Sequence, residues 1–146
     1  MMVKNSCSFI ANNEIGDEDL FFTAQKLRVE ISKAIQDGYT NFISNFDNVP
    51  DLIFADLVLE TIKANENITL EAAISNSYKL ENKDYFFNRL INRCNTVGVT
   101  SLGKEDCTIK RNKLMIDFSQ RVILFSSSAK YLIDYAKRFD KNIVII

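Results

Sequence analysis

The sequence predicts a three-layer α/β fold built on an open, mainly parallel sheet. Six short apolar runs alternate with five helical segments along the 146 residues. One Pro and four Gly leave no linker or low-complexity stretch to divide the chain, and its length suits one domain, residues 1–146. Strands that alternate with helices form βαβ units with helices on both faces of the sheet. Right-handed crossovers then leave a Rossmann-like sheet as the simplest arrangement.

Cys7 to Ala11 is a short apolar run, read as a buried strand. Leu20, Ala24, Leu27, Ile31, Ala34 and Ile35 follow at helical spacing. Asp17, Glu18 and Asp19 place acids where the helix dipole favours them, and Gly38 ends the helix. Asn41 to Ser44 is the second strand. Pro50 opens a helix that runs over Asp51 to Asn65 and is apolar on most sides between Leu52 and Ile62. A helix on one sheet face needs one apolar stripe, so the surplus predicts a second cover, read as a homodimer. Ile68 to Ile74 is a strand, Lys83 to Asn95 a helix, and Thr96 to Leu102 a strand interrupted by Gly98. A basic helix over Cys107 to Phe118 follows, then a strand over Arg121 to Phe125, a helix over Ala129 to Phe139 and a last strand over Asn142 to Ile146. Tyr85, Phe86 and Phe87 are consecutive and cannot share one helix face, so core packing and a subunit contact divide them.

Histidine is absent, which removes every Ser-His or Cys-His catalytic pair and every His metal ligand. No metal site and no resident cofactor is expected. Three cysteines, Cys7, Cys94 and Cys107, form no C-x-x-C pair and read as reduced thiols of a cytoplasmic protein. Cys107 stands at a helix start, where a thiolate is favoured, but no histidine is there to act as its base. No run reaches 18 apolar residues, so no membrane segment is expected.

The net charge of −1 conceals a split. Residues 1–73 carry 5 basic and 12 acidic side chains, and residues 74–146 carry 13 basic and 7 acidic. Interleaved helix faces account for such a split, as do head-to-tail association or an anion site in the second half. The overall balance argues against a dedicated duplex-DNA binder.

Ligands of such sheets bind beyond the carboxyl ends of the strands. The loops in question are Asn12–Gly16, Asn45–Asp51, Ser75–Asn82, Gly103–Asp106 and Ser126–Ser128. The second contains no glycine, and its Asp47 repels a phosphate. In the last, Ser126, Ser127 and Ser128 either hold an anion or cap the next helix. Asp51 reads as a ribose or water-positioning carboxylate, or as plain helix N-terminal charge. Asp56, further along the same helix, either joins it or is solvated. Asn112 bonds a ligand or ties a loop, and Asp117, against the helix dipole, calls for a partner such as Arg111, Lys113 or Arg121. Lys104, Lys110, Arg111 and Lys113 form an anion footprint or a solvated helix face.

These residues carry a family resemblance. Ser44 and Asp51 match positions of a Ser-Gly-x-x-x-Gly-x-Asp-x-x-Ala-Ala-Glu stretch, with Ala55 and Asp56 beside its Ala-Glu. Arg111, Asn112, Met115 and Asp117 match an Arg-Asn-x-x-Met-x-Asp helix. The chain thereby resembles the SLOG superfamily, the Rossmann-like group named after Smf/DprA and LOG proteins, in its YpsA-like bacterial branch. The resemblance implies the fold and, faintly, a nucleotide or nucleotide-derivative ligand. The departures are specific. The family's Thr-Gly-His-Arg motif reads Ala11-Asn12-Asn13-Glu14, its two second-motif glycines are Asn45 and Val49, and its Gly-Gly-Thr turn is Ser127-Ser128-Ala129. The Pro-Gly-Gly-x-Gly-Thr-x-x-Glu motif of the LOG phosphoribohydrolases is absent.

The expected function is therefore a non-enzymatic binding or interaction module with a degenerate nucleotide site. One alternative is a binder of a small nucleotide or other anion through Ser44, Asn45, Asp51, Asn112 and Ser126–Ser128. The other is a divergent nucleotide hydrolase with Asp51 or Asp56 as general base.

Overall fold

The computed structural model describes residues 5–11, 17–75, 84–100 and 107–146. Eleven elements alternate without exception: β1 (Ser6–Ile10), α1 (Asp17–Gln36), β2 (Asn41–Ser44), α2 (Val49–Ala64), β3 (Thr69–Ile74), α3 (Tyr85–Ile91), β4 (Thr96–Val99), α4 (Cys107–Asp117), β5 (Arg121–Leu124), α5 (Lys130–Arg138) and β6 (Asn142–Ile145). The six strands form one sheet in the order β4-β3-β2-β1-β5-β6, every pair parallel. The predicted fold class is thus the observed one.

Alternating residues of the strands other than β4 feed two cores. Cys7, Phe9, Phe42, Leu70 and Ala72 pack with α1, α2 and α3 on one face. Ile10, Ile43, Val122 and Leu124 pack with Met115 and Ile116 of α4 and Leu132 and Ala136 of α5 on the other. Phe9 is the hinge of the larger core, 5.3 Å from the Phe54 ring and 5.4 Å edge-on from Phe125. Truncating a ring of this kind costs about 3–5 kcal/mol.

Local signals place the ends of the elements. Gly38 has φ +95, and the Tyr39 and Gly38 amides return to the Ala34 and Ile35 carbonyls, the paired bonds of a Schellman stop. Asp84 Oδ1 accepts from the Phe87 amide, so α3 begins at Tyr85 rather than at Lys83, and it ends at Ile91, short of the expected Asn95. β4 stops at Val99, where the sequence predicted Leu102; residue 102 lies outside the described residues.

The surplus apolar surface of α2 meets α1, α3 and the sheet within the chain, with Leu52, Ile53 and Ile62 packed against the larger core. Part of the cover that the sequence reading assigned to a second copy is thus supplied within the chain, with Leu52, Ile53 and Ile62 left half-buried. Of the three aromatics, Phe87 is buried against Phe46, Phe86 lies under Arg89, and Tyr85 stands in solvent. The charge split is also used within the fold. Asp47–Arg111, Asp37–Arg121 and Asp56–Arg89 each pair an acid of the first half with a cation of the second. Among the described residues no helix is long and apolar enough to cross a membrane.

The thiols differ sharply in reach. Cys7 is fully buried, and burial pushes it up to about 12. Cys94, pushed up to about 12 by the same cause, also contacts the Leu90 carbonyl, whereas Cys107 is half-exposed at the start of α4. A thiol reagent is expected to label Cys107 first, Cys94 slowly and Cys7 only on unfolding. Labelling followed by peptide mass spectrometry reads the order, and rapid Cys7 labelling in the folded chain would contradict it.

Candidate functional site

In this strand order the direction of winding reverses between β1 and β5, so the crevice for a ligand lies past their carboxyl ends. The chain leaves the neighbouring strands there through Ala11, Ser44-Asn45 and Phe125-Ser126. Residues 12–16, 76–83 and 101–106, which hold three of the sequence-predicted loops and Lys104, lie outside the described residues.

Asp51 occupies the centre. Its side chain has no exposed surface. Oδ1 accepts from the Ala11 amide at 3.0 Å, and Oδ2 accepts from the Asn48 amide at 3.0 Å. The second bond belongs to a capping box at the start of α2, with Asn48 as N-cap. The first ties α2 to the end of β1. Burial raises the Asp51 carboxyl from 3.8 to about 7, against the two amide bonds that favour the ionised form; nearby Asp47 adds to the rise and Arg111 opposes it. Asp51 therefore has the helix-start role, with both oxygens engaged, rather than that of a free ribose carboxylate.

The loop between β2 and α2 is built on short polar turns. Ser44 Oγ donates to the Asp51 carbonyl at 2.9 Å, and Asn45 Oδ1 accepts from the Asp47 amide at 3.2 Å. The left-handed residue is neither of the two that replace family glycines. Phe46 carries it, at φ 58, with its ring 5.7 Å edge-on from Phe87. A non-glycine residue in this region costs on the order of 1–3 kcal/mol and persists where packing enforces it. Val49 is simply the first residue of α2.

Asp47 does not face the crevice as a free charge. Arg111, only 1% exposed, donates from Nη2 to Asp47 Oδ2 at 2.5 Å. The same guanidinium donates from Nε and Nη2 to Asn112 Oδ1, and Asn112 Nδ2 donates to Tyr131 Oη at 3.2 Å. Asn112 thus ties α4 to α5. The expected basic face of α4 dissolves: Arg111 turns inward, and Lys113 lies over the Tyr135 ring. Asp117 takes its bond from Tyr135 Oη at 2.7 Å, not from a cation, because Arg111 is held by Asp47 and Arg121 by Asp37. Asp56 is half-exposed beside Arg89.

Ser126 to Ser128 form a separate turn. Ser128 Oγ accepts from the Phe125 amide at 3.0 Å, and Ser126 and Ser127 are exposed. None caps α5; its N-cap is Ala129, without a side-chain bond. The structure therefore bonds Ser44 to Asp51, and separately links Asn45 through Asp47 and Arg111 to Asn112, around the β2–α2 loop, and leaves Ser126–Ser128 outside both sets. Sequence reasoning missed Phe46 and Tyr131, and it left Arg111 on the wrong side of its helix.

No family model matches the chain, and no curated protein does. Solved structures do. DNA processing protein A from Streptococcus pneumoniae aligns over 97% of this chain and 50% of its own, with a TM-score of 0.67 and 9% identity. DNA processing protein A from Helicobacter pylori, described for its single-stranded DNA binding mode, aligns over 98% of this chain and 65% of its own, with a TM-score of 0.66 and 13% identity. The chain spans half of the first protein and less than two thirds of the second. At these identities the likeness concerns the fold. The chain has the Rossmann-like fold of DNA processing protein A, the fold that its resemblance to the Smf/DprA–LOG superfamily implies.

Proposed function

We propose that this chain is a non-enzymatic, cytoplasmic binding module whose switch-point crevice is closed by its own side chains. The observation that carries the reading is Asp51, whose carboxylate accepts the Ala11 and Asn48 amides. Backbone N–H groups at a strand end and a helix start are the donors that cradle a phosphate in folds of this kind. Here the protein's own carboxyl group takes two of them. The binding reading is supported over the hydrolase one by the burial of Asp51 with an amide on each oxygen and by the Arg89 partner beside Asp56. Unpaired thiols support the cytoplasm as its compartment.

Calorimetry with AMP, ATP and ADP-ribose tests the proposal. No saturable heat is expected at micromolar ligand. A dissociation constant near 1 μM corresponds to about 8 kcal/mol. If such binding appeared and were lost in Asp51→Ala or Asn112→Ala, the crevice would be open and the reading wrong.

A second reading, binding of single-stranded DNA, is favoured by the likeness to the Helicobacter pylori protein. Anisotropy of a labelled oligonucleotide separates the two, because strand binding weakens steeply as salt rises.

A further inference from the structure

The sheet ends on one side at β4, which among the described residues pairs with β3 alone. All four of its residues are exposed, Val97 at 40% and Val99 at 41%. Edge strands are ordinarily blunted by a charge, a proline or a bulge, because an open edge invites another strand. Asn95 to Thr100 carries no charge and no proline, whereas β6 at the other edge follows directly on Lys141.

The ladder shows which backbone groups of β4 are free. The Thr100 amide donates to the Ile74 carbonyl at 2.8 Å, in the register that sets Gly98 beside Ala73. Backbone groups alternate between the two sides of a strand, so Gly98 and Thr100 face β3, while Val97 and Val99 turn their N–H and C=O groups to the open edge. Their side chains share a face with their partners Ala72 and Ile74 of the larger core, and Gly98 shares the opposite face with Ala73. Nothing within the chain calls for a glycine at 98. Its φ is not positive, and an added Cβ would meet only the Ala72 carbonyl oxygen, at 3.9 Å. A glycine inside a strand weakens it and often marks a place where another backbone comes close.

The segment Thr96-Val97-Gly98-Val99-Thr100 is a palindrome. Laid antiparallel on its own copy about a two-fold axis at Gly98, it sets glycine opposite glycine, valine opposite valine and threonine opposite threonine. The outward groups of Val97 and Val99 then meet those of the opposing valines and exchange N–H···O bonds in two pairs. The glycines form the close pair without hydrogen bonds, their Cα atoms about 4.5 Å apart. β-Branched and threonine pairs directly opposite one another are favourable.

We propose that β4 is a homodimer interface, at which a second copy of this chain adds its own β4, antiparallel and centred on Gly98, to make one continuous sheet. The contact is isologous, as two-fold assembly requires, and short, so the dimer is reversible and of modest affinity. β4 lies at the sheet edge, away from the β1–β5 crevice, so the proposal is independent of the reading above.

Sedimentation equilibrium of the full chain tests it. A monomer–dimer equilibrium with a micromolar dissociation constant is expected. Val97→Lys and Val99→Glu should each raise that constant at least about tenfold with the melting temperature retained, since each sets a charge against a valine in the pair. Mixing the two variants should restore association, because the Gly98-centred register places the ammonium of one opposite the carboxylate of the other. The proposal is overturned if the chain stays monomeric at high micromolar concentration, if both variants dimerise as the parent does, or if the mixture associates no better than either variant alone.

Discussion

Replacing Arg111 by Met is expected to destabilise the protein by about 3–5 kcal/mol, the usual effect of deleting one member of a buried pair. The guanidinium makes the Asp47 bond and both bonds to Asn112 Oδ1. Its loss takes the Arg111 bond from the Asp47 carboxylate, 14% exposed, in the loop that follows β2. Total stabilities of domains lie near 5–15 kcal/mol, so the variant sits close to unfolding at 37 °C. Urea denaturation followed by circular dichroism measures the change. The double variant Asp47→Leu with Arg111→Met should recover part of the loss, because it removes the acid that Arg111 balanced as well. A single-variant loss below about 1 kcal/mol would show that the pair behaves as an exposed one.

The second large effect is on pH. The Asp51 carboxyl titrates at about 7 in the folded chain against 3.8 in its ordinary setting, chiefly because it is buried. Between those values the folded state holds a proton that the unfolded state has released. The contribution is complete below the unfolded value and fades as pH rises through the folded one. Stability from this group therefore falls by roughly 2–3 kcal/mol between pH 5 and pH 8, at 1.36 kcal/mol for each pKa unit. Asp51→Asn, neutral at every pH, should flatten that part of the curve. Parallel slopes for the two proteins across this range would mean that the Ala11 and Asn48 amides keep the carboxylate ionised.

The fold was legible because each element carries its own period. β1, β2 and β5 are buried runs, apolar apart from Ser6, Ser8, Asn41, Ser44 and Arg121, and α1 repeats Leu27, Ile31 and Ala34 on one side. The edges were less legible where tertiary pairing decides them, as at β4, which ends with its register partner Ile74 on β3. At the candidate site the motif positions were found but the inward turn of Arg111 was not. Beside Lys110 and Lys113 it reads as part of a charged face, and the acid that draws it inside lies 64 residues earlier. A signal did exist. Arg111 and Asn112 stand one helical turn before Met115 and Ile116, so the buried stripe of α4 runs through them. Phe46 gave no such signal, because a left-handed phenylalanine depends wholly on what its ring packs against.

The strand order also dictates how the chain reaches this state. β1 pairs with β2 and then, on its other edge, with β5, whose first residue is Arg121. Winding from β1 to β4 closes only short loops and can proceed in sequence. The β1–β5 edge waits for a closure spanning the whole of that half, the slow and entropically costly kind. On a ribosome, β1 is synthesised first and keeps an open hydrogen-bonding edge, flanked by Phe9 and Ile10, until residue 121 has emerged. That interval is when another chain can add to the edge, so the most protected strand of the finished protein is its most exposed one during synthesis.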